Sequence, residues 1–154
     1  MRNDGRLLAY DTSPERLKWV EENCARLGVT CVQTALPSTC NLQPATFDRI
    51  LVDAPCSNTG VMRRRVDLRW RIQPEEIPRL QDIQRDLLQQ AAAKLKPGGV
   101  LVYSTCSLEP EENCEVVKEF LSGHTEFKLE SERELLPFVD NVDGAFVAVL
   151  VKAR

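Results

Sequence analysis

The 154-residue chain reads as an α/β fold on a mainly parallel sheet, and three observations carry that reading. Short apolar runs alternate with stretches of helical periodicity, so most neighbouring strands must be joined by helical crossovers. The apolar runs are continuous, as in strands covered by helices on both faces. Helix and strand candidates are separated by Ser-Pro, Gly and Pro-Gly-Gly punctuation.

Leu7-Leu8-Ala9-Tyr10 is the first strand candidate and ends at Asp11. Ser13 and Pro14 then open a helix, as cap and first helical residue. Leu17, Val20, Cys24 and Leu27 recur at helical spacing until Gly28 stops them. Val29 to Thr34 resembles a second strand, and residues 35–46 are loop-like. Phe47 to Val52 is a strong strand leading into Asp53-Ala54-Pro55-Cys56. A long Arg-rich connection, 57–74, precedes a helix from about Glu75 or Pro78 to Leu95, with Leu80, Ile83, Leu87, Leu88 and Ala91 on one side. Lys96-Pro97-Gly98-Gly99 is expected to break that helix. Val100 to Ser104 forms the next strand and runs into Thr105-Cys106-Ser107. Pro110 to Asn113 opens a helix carrying Val116, Val117, Phe120 and Leu121, which Gly123 ends. Phe127–Glu130 and Ala145–Val151 complete the strands, and the loop between them, without a long helix, predicts an antiparallel pair.

Composition narrows the function classes. Hydrophobic residues make up 43% and charged residues 28%, the balance of a folded globule rather than a disordered segment. The net charge of -3 provides no global attraction to nucleic acid, so an RNA contact requires a local patch. Arg63, Arg64, Arg65, Arg69 and Arg71 make such a patch, with Trp70 as a stacking face; a solvated basic loop with Trp70 in the core is the plainer alternative. No apolar stretch is long enough for a bilayer, and MRNDGRLLAYD lacks the apolar core of a secretory leader, so no membrane partner and a cytoplasmic chain with reduced thiols are expected. The six cysteines stand at 24, 31, 40, 56, 106 and 114, none in a Cys-x-x-Cys pair. His124 is the one histidine, and no metal site is expected.

Two cysteines stand apart. In open α/β sheets ligands bind beyond the carboxyl ends of the strands. Cys56 and Cys106 each follow such an end, whereas Cys24, Cys31, Cys40 and Cys114 read as small buried hydrophobes. If the two strands are adjacent and parallel, roughly 4.8 Å apart, both thiols meet at one rim with Asp53 beside them.

Asp53-Ala54-Pro55-Cys56-Ser57-Asn58-Thr59-Gly60 resembles the signature DAPCSGxG, and Tyr103-Ser104-Thr105-Cys106-Ser107 with Pro110-Glu111-Glu112-Asn113 resembles TCS…PEEN. Together they resemble the Sun (Fmu) family of S-adenosylmethionine-dependent RNA cytosine-5 methyltransferases, which typically act on ribosomal RNA. The likeness continues through Arg63-Arg64, Asp67-Leu68-Arg69-Trp70, Lys96-Pro97-Gly98-Gly99 and Asp143-Gly144-Ala145-Phe146, and so covers essentially the whole chain.

The resemblance implies a Rossmann-like class I methyltransferase sheet, with residues 1–154 as one truncated catalytic domain. It also implies roles. Cys106 is the nucleophile that adds to carbon 6 of cytosine, and Cys56 releases the enzyme from its product. Asp53 lies near cofactor and base, and in its protonated form bonds ring nitrogen 3. Asp11 bonds the ribose hydroxyls of S-adenosylmethionine. Arg63, Arg64, Arg69 and Arg71 bind RNA, whose target base must first leave its stack.

Departures from the family pattern qualify this expectation. The chain contains no Gly-x-Gly turn, so the first strand of the fold and the glycine-rich cofactor loop are lacking. Either the flanking strands close on each other, or another chain supplies the missing central strand in an oligomer, or the chain is a fragment. Asn58 stands where glycine is usual, and no acidic residue occurs at Thr34-Ala35. A non-catalytic RNA-binding or scaffold module with the same fold is therefore the competing function. A cysteine hydrolase or thiol redox protein ranks third, because His124 is expected at the rim opposite Cys106 and the closely spaced cysteines that redox work favours are lacking.

Overall fold

The computed structural model describes residues 2–38 and 41–154; Cys40 lies outside them. The chain divides into two compact units, with the boundary between Leu42 and Gln43.

The first unit contains β1 (Leu7–Tyr10), α1 (Pro14–Leu27) and β2 (Val32–Ala35). The two strands pair in parallel, Leu7 opposite Val32 through Tyr10 opposite Ala35, as a crossover through α1 requires. Ser13 is extended and its hydroxyl accepts the Arg16 N–H at 3.3 Å, satisfying one of the donors a helix start leaves over. Gly28 closes the helix at φ 66°, a left-handed conformation that glycine adopts without steric cost. The second strand starts later than predicted because the Val29 N–H bonds back to the Cys24 carbonyl at 2.8 Å. Val29 thus belongs to the helix exit and not to the ladder.

The second unit contains β3 (Phe47–Asp53), α2 (Leu68–Arg71), α3 (Glu76–Lys94), β4 (Leu95–Thr105), α4 (Cys114–Gly123), β5 (Phe127–Leu135), α5 (Pro137–Asp140) and β6 (Ala145–Lys152). Its sheet has the order β3-β4-β6-β5. β3 and β4 run parallel, while β6 is antiparallel to both β4 and β5.

One face of this sheet forms the core. Val52, Leu101, Tyr103, Phe146, Ala148 and Leu150 alternate inward along their strands and pack with Leu88, Ala91 and Ala92 of α3 and Val116, Val117 and Phe120 of α4. Across the ladder Leu101 faces Leu150 and Tyr103 faces Ala148, so like positions share the buried side.

Three differences from the predicted elements have physical causes. The helix ends at Lys94 as expected, but Lys96-Pro97-Gly98-Gly99 lies inside β4 rather than ahead of it, because α3 passes directly into the strand at the fully buried Leu95, which pairs with Phe47. The irregularity is absorbed as a register shift between Phe47 and Arg49, with Gly98 at φ 75° donating its N–H to the Ala153 carbonyl. A bulge is where a strand tolerates proline and glycine. Pro110–Glu112 forms a 3-10 turn, and α4 starts only at Cys114. β5 continues to Leu135 through Glu130 to Glu134, an exposed edge strand whose charges discourage pairing with other chains and hide any strand periodicity.

Candidate active site

Parallel pairing of β3 and β4 brings their carboxyl ends together. Asp53 is opposite Ser104, and the Ala54 N–H continues the ladder to the Ser104 carbonyl at 2.9 Å. The loops that follow therefore leave the sheet at the same rim, and the Cys56 and Cys106 sulfurs lie 3.4 Å apart. Cys56 is buried and Cys106 half-buried. The Cys106 thiol also donates to Asn58 Oδ1 at 3.0 Å.

The two thiols are electrostatically unequal. A hydrogen bond from Cys56 pulls Cys106 down to about 7, against partial burial and the nearby negative charge of Asp53, while Arg65 favours the thiolate. That same hydrogen bond, with burial, pushes Cys56 far above the ordinary thiol range. Cys106 is thus the sulfur that ionises near neutrality, and the thiolate is the nucleophilic form. Among the described residues its side-chain hydrogen-bond partners are Cys56 and Asn58. His124 is elsewhere, stacked on Phe120 at 4.2 Å with Nδ1 2.9 Å from the Phe120 carbonyl, so the pairing of thiol and histidine that a cysteine hydrolase needs is not formed.

A buried carboxylate holds the two cysteine loops. Glu112 is fully buried and accepts the Ser57 N–H at 2.9 Å, the Ser57 hydroxyl, the Ser107 hydroxyl at 2.6 Å and Gln84 Nε2 at 3.0 Å. Gln84 Nε2 also donates to the Pro55 carbonyl at 2.9 Å, and the Tyr103 hydroxyl to the Glu112 carbonyl at 2.7 Å. Asn113 completes the fastening, donating to the Ser107 carbonyl at 3.0 Å and accepting from the Thr105 hydroxyl at 2.5 Å. The Pro-Glu-Glu-Asn run is visible in the sequence, but the roles of Glu112 and Asn113 are not. Gln84 is a further member of the network without an expected role, although a glutamine midway between Leu80 and Leu88 on the buried side of a helix is a detectable signal.

A third loop is joined to these two by glycine contacts. The Gly60 N–H bonds to the Cys106 carbonyl at 3.0 Å, and the Gly144 N–H to the Gly60 carbonyl at 2.8 Å. A Cβ on Gly144 would lie 2.7 Å from the Gly60 Cα and 2.6 Å from Leu108 Cδ2. Gly144→Ala is accordingly expected to cost about 1–3 kcal/mol through overpacking, read as a fall in the urea midpoint at unchanged slope.

The arginines divide into two groups. Arg63 and Arg64 both reach Asp143, at 3.1 and 2.5 Å, and Arg71 pairs with Asp67 at 3.1 Å. Arg65 and Arg69 are exposed and in no ion pair among the described residues. Trp70 is 79% exposed, which removes it from the core.

In the first unit, Asp11 Oδ1 accepts the Ser13 N–H at 2.7 Å and meets Arg16 at 3.0 Å. The acid absent from the sequence at Thr34-Ala35 arrives from α1, where Glu21 accepts the Thr34 hydroxyl at 2.5 Å. Cys24 and Cys31, like Cys114 in the second unit, are half-buried rather than buried. Among the described residues no cluster of three or more His, Cys, Asp or Glu is placed to hold a metal ion, and no helix is long and apolar enough to cross a membrane.

Comparison with known proteins agrees with this architecture. The family model described as 16S rRNA methyltransferase RsmB/F matches residues 1–151. Ribosomal RNA small subunit methyltransferase B from Vibrio vulnificus (strain YJ016) is 44% identical over 95% of the chain, and its counterpart from Vibrio cholerae 40% identical over 97%; the chain spans 36% of each. The structure of NSun6 from Pyrococcus horikoshii with SFG superimposes with a TM-score of 0.86 at 32% identity, covering 99% of this chain and 42% of that one. A methyltransferase homologue from Pyrococcus horikoshii gives 0.81 at 33% identity, covering 99% and 55%. With its paired cysteine loops and a match over nearly its whole length, the chain belongs to the 16S rRNA methyltransferase RsmB/F family.

Proposed function

We propose that this chain is the nucleophile-bearing part of a catalytic domain that methylates carbon 5 of a cytosine in ribosomal RNA, with Cys106 attacking the base and Cys56 releasing it. The observation that carries the proposal is the 3.4 Å separation of the two sulfurs at one rim, close enough for both to serve a single pyrimidine. Carbon 5 is a weak nucleophile until carbon 6 accepts a thiolate. The Cys106 thiolate forms the carbon–sulfur bond, and the base becomes an enamine with electron density at carbon 5. Asp53, exposed at the end of β3, in its protonated form donates a hydrogen bond to ring nitrogen 3 and stabilises the negative charge that develops there. Once carbon 5 carries the new methyl group, a base takes the carbon 5 proton, the freed electron pair restores the 5,6 double bond, and the carbon 6–sulfur bond breaks to return the Cys106 thiolate, a release that Cys56 beside it assists.

S-adenosylmethionine supplies an electrophilic methyl group on its sulfonium. This chain fits part of that molecule. Asp11, oriented through one oxygen by Ser13 and Arg16, leaves the other for a ribose hydroxyl, and Glu21 places a carboxylate at the end of β2. A glycine-rich turn for the methionine part does not occur among the 154 residues, so those donors come from the remainder of the enzyme. Arg65 and Arg69 take RNA phosphates directly, whereas Arg63, Arg64 and Arg71 exchange a carboxylate for a phosphate.

The test uses this chain in place of its matched segment in the Vibrio vulnificus relative. In that chimera Cys56→Ala is expected to accumulate a protein–RNA adduct that survives denaturing electrophoresis and maps to Cys106. Ordinary turnover without adduct would refute the division of labour between the two sulfurs.

A further inference from the structure

Residue 58 is where the chain departs from its family signature, and the side chain found there touches both cysteines. Asn58 has φ 63°. Its Nδ2 donates to the Cys56 carbonyl at 2.7 Å, and its Oδ1 lies 3.0 Å from the Cys106 sulfur. The first bond fixes the orientation of the second. A flipped amide would set two carbonyl oxygens against each other at Cys56, so the oxygen, not the nitrogen, faces the nucleophile.

This orientation discriminates between the two states of Cys106. A thiol donates its hydrogen to Oδ1. A thiolate brings lone pairs against an amide oxygen with no hydrogen between them, a contact that disfavours the charged form. We propose that Asn58 is a positioning residue that enlarges the protonated share of Cys106 at rest and so raises the pH at which it ionises, a latch on the nucleophile. The proposal rests on Cys106 being the reactive sulfur. Asn58 is half-buried, so a base arriving over the two sulfurs is able to displace it. The other groups facing Cys106 are the Cys56 thiol and Asp53 from the end of β3 and Arg65 from the connection beyond. Cys56 and Arg65 favour the thiolate; Asp53 and Asn58 oppose it.

The experiment needs neither cofactor nor RNA. Iodoacetamide alkylation of Cys106 in the 154-residue chain is followed by peptide mass spectrometry across pH 5–9, for the parent, Asn58→Gly and Asn58→Asp. Glycine suits the left-handed backbone at this position, so Asn58→Gly is not strained, and circular dichroism verifies both variants. The glycine variant is expected to move the midpoint of alkylation to lower pH and to react about threefold or more faster than the parent at pH 6, where the thiolate is the minor form. The aspartate variant, with a charged oxygen at the same place, is expected to move the midpoint up. Faster alkylation of the glycine variant at every pH with an unmoved midpoint would mean that Asn58 only limits access, and would overturn the latch; so would a midpoint displaced upward. Because alkylation reports the sulfur alone, a failure here is separable from a failure of methyl transfer in the chimera.

Discussion

Cys106→Ala in the Vibrio vulnificus chimera is expected to abolish methyl transfer, with a loss on the order of 10⁴-fold or more, the scale seen when a covalent catalyst loses its nucleophile. Without a sulfur at carbon 6, carbon 5 is not activated, and none of the remaining rim groups replaces it. Cys56 is 3.4 Å away but buried and held in its protonated form by the bond it donates. The pH dependence of the parent follows from the same asymmetry. Since Cys106 is drawn down to about 7, its thiolate is scarce below that value and dominant above it. The rate should therefore rise with pH through neutrality and level off, not fall. Incorporation of labelled methyl groups into ribosomal RNA measures both effects. Retention of more than about one-hundredth of the parent rate by Cys106→Ala would be too much for a lost nucleophile and would end the assignment.

Glu112→Ala should cause the largest loss of stability, about 3–5 kcal/mol. The side chain is fully buried and receives donors from Ser57, Ser107 and Gln84. Removing it leaves those donors in a dry site without an acceptor, and each orphaned group costs about 1–3 kcal/mol. The loss is a large part of the 5–15 kcal/mol that keeps an ordinary domain folded. Glu112→Gln retains the volume and one acceptor oxygen but turns an NH₂ toward hydroxyl and amide donors, so an intermediate loss is expected. Urea unfolding followed by circular dichroism ranks the three proteins. An alanine variant within about 1 kcal/mol of the parent, the worth of one ordinary hydrogen bond, would show that the network is dispensable.

The meeting of the two thiols was legible in the sequence because it depends on few things. Two apolar strands each end in a cysteine loop, and parallel neighbours in a sheet align their ends. The fastening of those loops was not legible. Whether Glu112 turns inward is decided by donors from residues 57, 84 and 107, which lie far apart in the chain and meet only after α3, β3 and β4 have packed. Asn58 illustrates the same limit. Its departure from glycine is visible in the motif, but the bridge from one cysteine's carbonyl to the other's sulfur exists only once the loops are beside each other. The charged stretch 130–134 has no alternation of polar and apolar residues, so its membership of β5 follows from β6 offering a ladder, not from its own composition. Glu21, likewise, reaches Thr34 only because α1 crosses over the β1–β2 pair.

The contact of Gly60 with Gly144 bears on how a polynucleotide is received. Main chains that touch with no side chain between them leave little slack to take up, so at this contact the backbone around the sulfurs has little room to yield, and only side chains such as Asn58 are free to move. Under the proposed reading, adaptation would then fall on the incoming strand, which would have to deliver its pyrimidine already unstacked or lose stacking energy on arrival. A receptor of that kind would reward loops and strand ends over intact duplex, and would select its target by pliancy before any base is read.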